Sequence, residues 1–335
     1  MDSNAPLLLV SSSPHAHSGS SVRSLMVDVI VALLPATLAS IWFFGWNALR
    51  LIAVCTLAAA ACEWICRKIM RRENTLGDCS ALLTGLLLAL NLPPSLPTWM
   101  AIAGSIFAIA IAKQVFGGLG YNPFNPALAG RVFLLISFTG AMTTWTPSPW
   151  LSADALTTAT PLGCAKAAIK AGQSIPFAFT PDQFQSFLLG NTNGSLGETS
   201  ALALLLGAGY LLYRRVISWH VPVCYLGTVA VGAGVLRVLL PETSLPVACH
   251  LLSGGLILGA CFMATDMVTS PLTRWGLAIF GIGCGLLTLL IRCVPSGAYP
   301  EGVSFAILVM NAFVPLINRV TRHQIFGTRP RGARP

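Results

Sequence analysis

Charge is scarce in this sequence. Asp, Glu, Lys and Arg fill 9% of its 335 positions, against about a quarter in soluble domains. Apolar residues take 55% of the chain and mean hydropathy is +0.74. A water-soluble fold of this length cannot hide that much apolar surface, so a soluble enzyme or carrier is excluded. The ten cysteines contain no C-x-x-C pair, the nearest being Cys62 and Cys66, and Cys55, Cys224, Cys261 and Cys284 fall inside apolar runs. They read as small hydrophobes, not as metal ligands or disulfide partners. A signal-peptide layout is also missing: the polar stretch Ser11 to Ser21 precedes the first apolar run and no small-residue cleavage site follows it, so the first run is expected to remain as an anchor.

What is present is a series of apolar runs of fifteen to twenty residues, the length that crosses about 30 Å of hydrocarbon at 1.5 Å per residue. Punctuation by charge, Pro and Gly gives ten expected spans: Leu25–Phe44, Ala48–Ile65, Ser80–Leu92, Leu96–Ala112, Ala127–Ala141, Ala201–Tyr213, Val221–Leu240, Pro246–Ala264, Gly276–Ile291 and Val303–Ile317. With a cytoplasmic N-terminus, fifteen cations collect on one side: Arg23, Arg67, Lys68, Arg71, Arg72, Lys113, Arg131, Arg214, Arg215, Arg274, Arg319, Arg322, Arg329, Arg331 and Arg334. Five fall on the other, Arg50, Lys166, Lys170, Arg237 and Arg292. That bias predicts both termini in the cytoplasm and assigns the net charge of +9 to topology, not to nucleic-acid binding. The 142–200 loop then faces outward.

The two halves resemble each other. Leu82-Leu83-Thr84-Gly85 is echoed by Leu251-Leu252-Ser253-Gly254, and the turn from Gly120 to Pro126 by the one from Gly297 to Gly302. Five spans per half is odd, so the repeat must be inverted in the membrane. Two short spans in each half, bounded by Pro, Gly or Asp, point to a midplane site lined by broken helices. The expected fold is therefore an all-α polytopic membrane protein of about ten helices in two inverted five-helix repeats. Its divisions are a cytoplasmic tail (1–22), repeat one (23–141), the extracytoplasmic loop (142–200), repeat two (201–318) and a second cytoplasmic tail (319–335).

Three stretches are candidate sites. In the outward loop, Asp154-Ala155-Leu156-Thr157-Thr158-Ala159-Thr160-Pro161 sets hydroxyls beside an acid. It is either ordinary turn chemistry or a place where a hydroxyl carries a phosphoester, with small Ala159 leaving room and Asp154 helping to position a metal during attachment. The Gly117-Gly118-Leu119-Gly120-Tyr121-Asn122-Pro123-Phe124-Asn125-Pro126 stretch lacks the third glycine of a dinucleotide fingerprint, and no strand precedes it. It is a helix-breaking connector, or a re-entrant turn whose Asn122 and Asn125 amides bind a flavin ring or an ion. In Met263 to Thr273, Asp266 ends the eighth span among hydroxyls. Either it serves function or it pairs with Arg274 at the interface. Asp28 and Glu63 are expected to pair with neighbouring Arg23, Arg67 and Lys68, and His250 to hydrogen-bond between helices.

At these stretches the chain resembles the D subunit of the Rnf electron-transport complex and, less closely, the B subunit of the Na+-translocating NADH:quinone reductase. The resemblance runs from Ser13-Pro14-His15 to the C-terminal tail, through Phe43-Phe44-Gly45-Trp46, Asp78 to Pro94, Phe116 to Phe133, Phe262 to Pro271 and Tyr299 to Pro315. It implies a flavoprotein subunit of a bacterial inner-membrane translocase, not catalytic alone, that works with A-, B-, C-, E- and G-type subunits to couple electron transfer between ferredoxin and NAD to Na+ or H+ movement. It further implies FMN joined through a phosphoester by a flavin transferase, and a noncovalent riboflavin in the membrane part. The family's attachment motif is Asp, two variable residues, Ser or Thr, Gly, Ala, Thr. Placed here it puts the modified hydroxyl at Thr160, with Asp154 as the acid and Thr157 at the Ser/Thr position. Thr158 stands where the family has glycine, which leaves Thr157 and Thr158 as alternative acceptors. A channel or transporter for a small solute or ion, without redox chemistry, is the competing reading of the same repeat.

Overall fold

The computed structural model describes residues 21–145, 162, 163, 167, 181–190, 194–239, 245–293 and 302–322. Among them there is no strand. The helices are α1 (Val22–Phe44), α2 (Trp46–Ile69), α3 (Ser80–Leu90), α4 (Thr98–Ile106, running on as the π-helical Phe107–Gln114), α5 (Pro126–Ser137), α6 (Pro181–Leu189), α7 (Ala201–Tyr213), α8 (His220–Leu239), α9 (Val247–Leu252), α10 (Arg274–Cys293) and α11 (Val303–Thr321). Between α9 and α10 lies a short helical segment, Leu256–Leu258, that continues as the π-helical Gly259–Met263.

Five of these helices, α1, α2, α8, α10 and α11, are long and apolar enough to cross a membrane, and the other apolar helices are shorter. Their lipid-compatible character shows in what they leave outside: Leu38, Trp42, Leu57, Val231, Leu286 and Leu316 are all exposed, a surface that water would penalise and hydrocarbon does not. Helix starts are set by local chemistry. Ser21 caps α1 through a reciprocal pair with Ser24, and Asn125 caps α5 with Pro126 in its first turn, where the missing N–H costs nothing.

The halves interlock instead of sitting side by side. α2 packs on α3 and α4, and α10 packs on α8 and α11, while α1 crosses over to pack on α7 and α5 touches α11. Closeness between α1 and α7 depends on Gly207, because a Cβ there would collide with the Ala32 carbonyl. In the second half Tyr225 and Thr288 share a 2.6 Å hydrogen bond that ties α8 to α10 deep in the core.

Two segments stop partway. α3 has eleven residues, about 16 Å of helix against roughly 30 Å of hydrocarbon. It ends at Asn91, before Leu92-Pro93-Pro94. The buried backbone there is bonded from the 194–200 stretch, where the Leu196 N–H donates to the Leu92 carbonyl at 3.1 Å, the kind of partner a nonhelical chain inside a membrane requires. The expected single span Pro246–Ala264 is broken instead at Ser253, with Gly254 and Gly255 at φ +71° and +65°, a left-handed backbone that glycine adopts without penalty. Arg292 of α10 closes that break, donating to the carbonyls of His250 (2.7 Å), Ser253 (3.1 Å) and Gly254 (3.1 Å).

Candidate functional site

The ends of these partial helices meet. Asn125 caps α5 by accepting from the Ala127 and Leu128 N–H groups at 3.1 and 3.3 Å. Its own amide nitrogen donates 3.2 Å to the carbonyl of Met263, the last residue of the π segment. In the orientation that satisfies both ends of its amide, Asn311 of α11 accepts from the Asn125 N–H and donates to the Thr269 carbonyl, each at 3.2 Å. The Thr269 hydroxyl donates to Asp266 at 3.0 Å. One chain of hydrogen bonds thus joins α5, α11 and the loop after the π segment.

Asp266, Asn122 and Asn125 line one cavity of about 70 Å³, together with Ser80, Thr84 and Lys113 and apolar walls from α1, α3, α7 and Phe262. In the sequence these three residues belong to two separate motifs, and the fold brings them to one site. The Asn122 amide nitrogen donates to the Phe124 carbonyl at 3.0 Å, but its oxygen is buried without a hydrogen-bond partner among the described residues. A buried acceptor left open costs about 1–3 kcal/mol, so the oxygen marks where a donor from a ligand or water belongs. Burial pushes the Asp266 carboxyl above the ordinary carboxylate range, and the bonds from Thr269 and the Val268 N–H pull it back. Asp266 accepts from the Thr269 hydroxyl and the Val268 N–H, within its own turn, and is not paired with Arg274.

Deeper in the bundle lies a second polar group. Arg131 of α5, 2% exposed, donates to the Asn91 side chain at 2.8 Å and to the Ser304 hydroxyl of α11 at 3.0 Å, and stands 3.7 Å from the Glu198 carboxylate. Asn91 in turn donates to the Leu87 carbonyl at 2.7 Å. Arg131 is a buried strut between halves, not a cation of the basic face. Lys113 is similarly internal: its ammonium lies 2.9 and 3.0 Å from the two oxygens of Glu63. Two partners expected from proximity are replaced by distant ones, since Glu63 bonds Lys113, Gln114 and Thr75, and Asp28 bonds Arg214 and Tyr210. His250 is buried, but its Nδ1 has no hydrogen-bond partner among the described residues.

Asp154, Thr157, Thr158 and Thr160 lie outside the described residues. Leu162, two positions after Thr160, is described, and it is buried in a small apolar cluster with Phe187 of α6, Leu245 and Cys249 of α9. Asn91, Arg131, Glu198, Ser304 and Asn311 do not stand out as site residues in the sequence; single polar residues inside apolar runs are the available signal.

Residues 9–327 match the family described as NQR2, RnfD, RnfE. The chain is 47% identical over 320 residues to the D subunit of the Na+-translocating ferredoxin:NAD+ oxidoreductase complex of Acetobacterium woodii, covering 96% of this chain and 95% of that one. It is 44% identical to the D subunit of the proton-translocating ferredoxin:NAD+ oxidoreductase complex of Clostridium ljungdahlii, covering 96% and 97%. To the D subunit of the ion-translocating oxidoreductase complex of Stutzerimonas stutzeri it is 45% identical, covering 93% and 94%.

Proposed function

Because this chain belongs to the NQR2, RnfD, RnfE family, we propose that it is the D-type membrane subunit of an ion-translocating ferredoxin:NAD+ oxidoreductase complex, and that it carries flavin there. The observation that supports this reading best is the end-to-end match at 44–47% identity to proteins so named. Chance similarity of apolar segments does not extend through loops and half-helices alike.

In this reading residues 23–141 and 201–318 are inverted five-span repeats, ten spans in all, with both termini in the cytoplasm of a bacterial inner membrane. Subunits of the A, B, C, E and G types are its neighbours, and a flavin transferase modifies the 142–200 loop. Thr160 carries FMN through a phosphoester, Asp154 assists attachment, and Thr157 and Thr158 are the less favoured acceptors. Buried Leu162 holds the chain just after Thr160 against the outer end of the second repeat. A flavin supplies one- and two-electron chemistry that no side chain here provides.

The cavity at Asn122, Asn125 and Asp266 is the site for the noncovalent riboflavin. Its lining suits a heteroaromatic edge: an acceptor on Asn122 without a partner among the described residues, a carboxyl at Asp266, and apolar side chains from α1, α3 and α7. At about 70 Å³ the space holds several waters, each needing roughly 10–15 Å³. Entry of a ring system therefore requires wall residues to move, and Met26 and Met267, unbranched and adaptable, are the ones able to do so. Asn125, fixed at both ends of its amide, keeps the floor of the site in register with the π segment.

The solute-channel alternative finds the contact between α5 and α11 filled by Arg131, whose guanidinium is held by Asn91 and Ser304 with Glu198 3.7 Å away. Ion flux through the isolated chain in liposomes, without flavin or electron donor, would nevertheless favour a channel.

Two results are expected of the purified complex. The denatured chain fluoresces in a gel under ultraviolet light, and the peptide containing Thr160 is heavier by FMN less one water; Thr160→Ala abolishes both. An unmodified peptide from cells that contain the transferase would refute the covalent assignment. Separately, Asn122→Leu lowers the flavin released by denaturation while leaving the covalent flavin in place, and unchanged release would remove the cavity from consideration.

A further inference from the structure

An apolar groove of about 460 Å³ runs along the outside of the first half, between the π-helical Phe107–Gln114 stretch and α5. Phe107, Ile111, Phe133 and Ile136 form its walls, small Ala129 its floor, and Phe116 and Phe124 its upper end. Phe107 and Phe133 stack with centroids 4.3 Å apart and planes 3° from parallel, which keeps one wall rigid. The π turn contributes to the opening, because its extra residue moves Ile111 out of helical register with α5.

The length of the groove selects among occupants. Its lining on α5 runs from Ala129 to Ser137, about 13 Å of helix, which is close to one leaflet, about half of the ~30 Å hydrocarbon thickness. A crossing helix from another protein would require a seat about twice as long. One acyl chain does not.

The upper end is basic. Gly117, next to Phe116, accepts at its carbonyl from Arg72 at 3.2 Å. The Arg67 guanidinium fills the space that a Cβ at Gly118 would need, so Gly118 keeps Arg67 over the loop. Arg67 Nε is buried without a hydrogen-bond partner among the described residues. Lys68, Arg71 and Arg72 are exposed, with Glu73 as the neighbouring acid in sequence; Trp64 and Tyr121 are exposed too, and the Lys68 ammonium lies 4.8 Å from the Trp64 ring centre, aromatic residues being common at membrane interfaces.

We infer that this groove and the Arg67–Arg72 cluster together form a binding site for one acidic phospholipid, with the phosphate on the guanidinium groups and one acyl chain along α5. Guanidinium groups match phosphate oxygens in geometry and charge, and clustered basic residues beside a membrane helix select acidic over zwitterionic headgroups. The assignment rests only on the chain lying in a bilayer and is independent of the flavin reading.

The test is native mass spectrometry and lipid extraction of the complex purified in detergent and washed with excess zwitterionic phospholipid. The wild type is expected to retain about one acidic phospholipid per chain. Arg72→Gln lowers that occupancy by about fivefold, the effect of one interfacial charge. Ala129→Trp, which fills the groove and leaves every cation in place, lowers it at least as much. Retention of zwitterionic lipid equal to acidic lipid overturns the proposal. So does unchanged acidic lipid in Ala129→Trp, and so does loss of a neighbouring subunit from that variant with its lipid retained, which would assign the groove to a protein helix.

Discussion

Lys113→Met is expected to destabilise the chain by about 3–5 kcal/mol, the cost of leaving a buried charge without its partner. Lys113 and Glu63 have side chains 1% and 0% exposed, so neither has water to fall back on. The ammonium contacts both Glu63 oxygens and donates to the Ser80 hydroxyl at 2.7 Å. Ser80 in turn donates to Asp78 at 2.6 Å, and Glu63 also accepts from Gln114 and Thr75 at 2.9 Å. Methionine keeps an apolar stem of similar length and removes the ammonium with its three donated bonds, so the loss is of charge and hydrogen bonding more than of packing. The double variant Lys113→Met with Glu63→Leu removes both charges and should recover most of the stability, because a buried ion pair exchanged for apolar residues of similar volume is often neutral or better. Thermal unfolding of the purified chain in detergent reads both effects. A single variant as stable as wild type, or a double variant as unstable as the single, would show that the pair does not act as described.

This pair also shows where the sequence was legible and where it was not. α7 lies at Ala201–Tyr213, the bounds hydropathy gives, since Ser200 caps one end and Arg214-Arg215 follows the other, both local signals. Lys113 sits at the end of an apolar run, and by the same logic belongs to a basic membrane face. Its partner lies 50 residues away on α2, and nothing local announces it. Arg131 is obscured for the same reason, with Asn91 forty residues upstream and Ser304 on the far half. Charge counting distributes cations by loop and cannot see a span-to-span contact. The break at Ser253 was hidden for a different reason: glycine barely changes hydropathy, so Gly254 and Gly255 read as part of one continuous span. Asn122, Asn125 and Asp266 were visible because helix breakers and an acid in an apolar setting are local oddities. Their common cavity was not visible, because it is created by α1 and α7 from opposite halves.

Arg131→Gln should be as damaging as Lys113→Met, and its consequences reach further, because the contact it breaks joins the halves. Without the guanidinium, the Asn91 amide oxygen and the Ser304 hydroxyl lose their donor, and Glu198, 3.7 Å away and 5% exposed at its side chain, loses its countercharge. A buried pair broken on one side costs about 3–5 kcal/mol, whereas Ser304→Ala removes a single acceptor and should cost about 1.5–3 kcal/mol, as a hydrogen bond to a charged group does. Arg131→Lys is the informative intermediate. It keeps the charge near Glu198 but cannot reach Asn91 and Ser304 from one planar group, so it should fall between the other two. Because α5 meets α11 at this crossing, Arg131→Gln should also reduce the share of chain recovered in assembled complex, beyond what Lys113→Met does at equal loss of thermal stability. If the two variants lose assembly in equal measure, Arg131 stabilises its own half only and is not the strut between them.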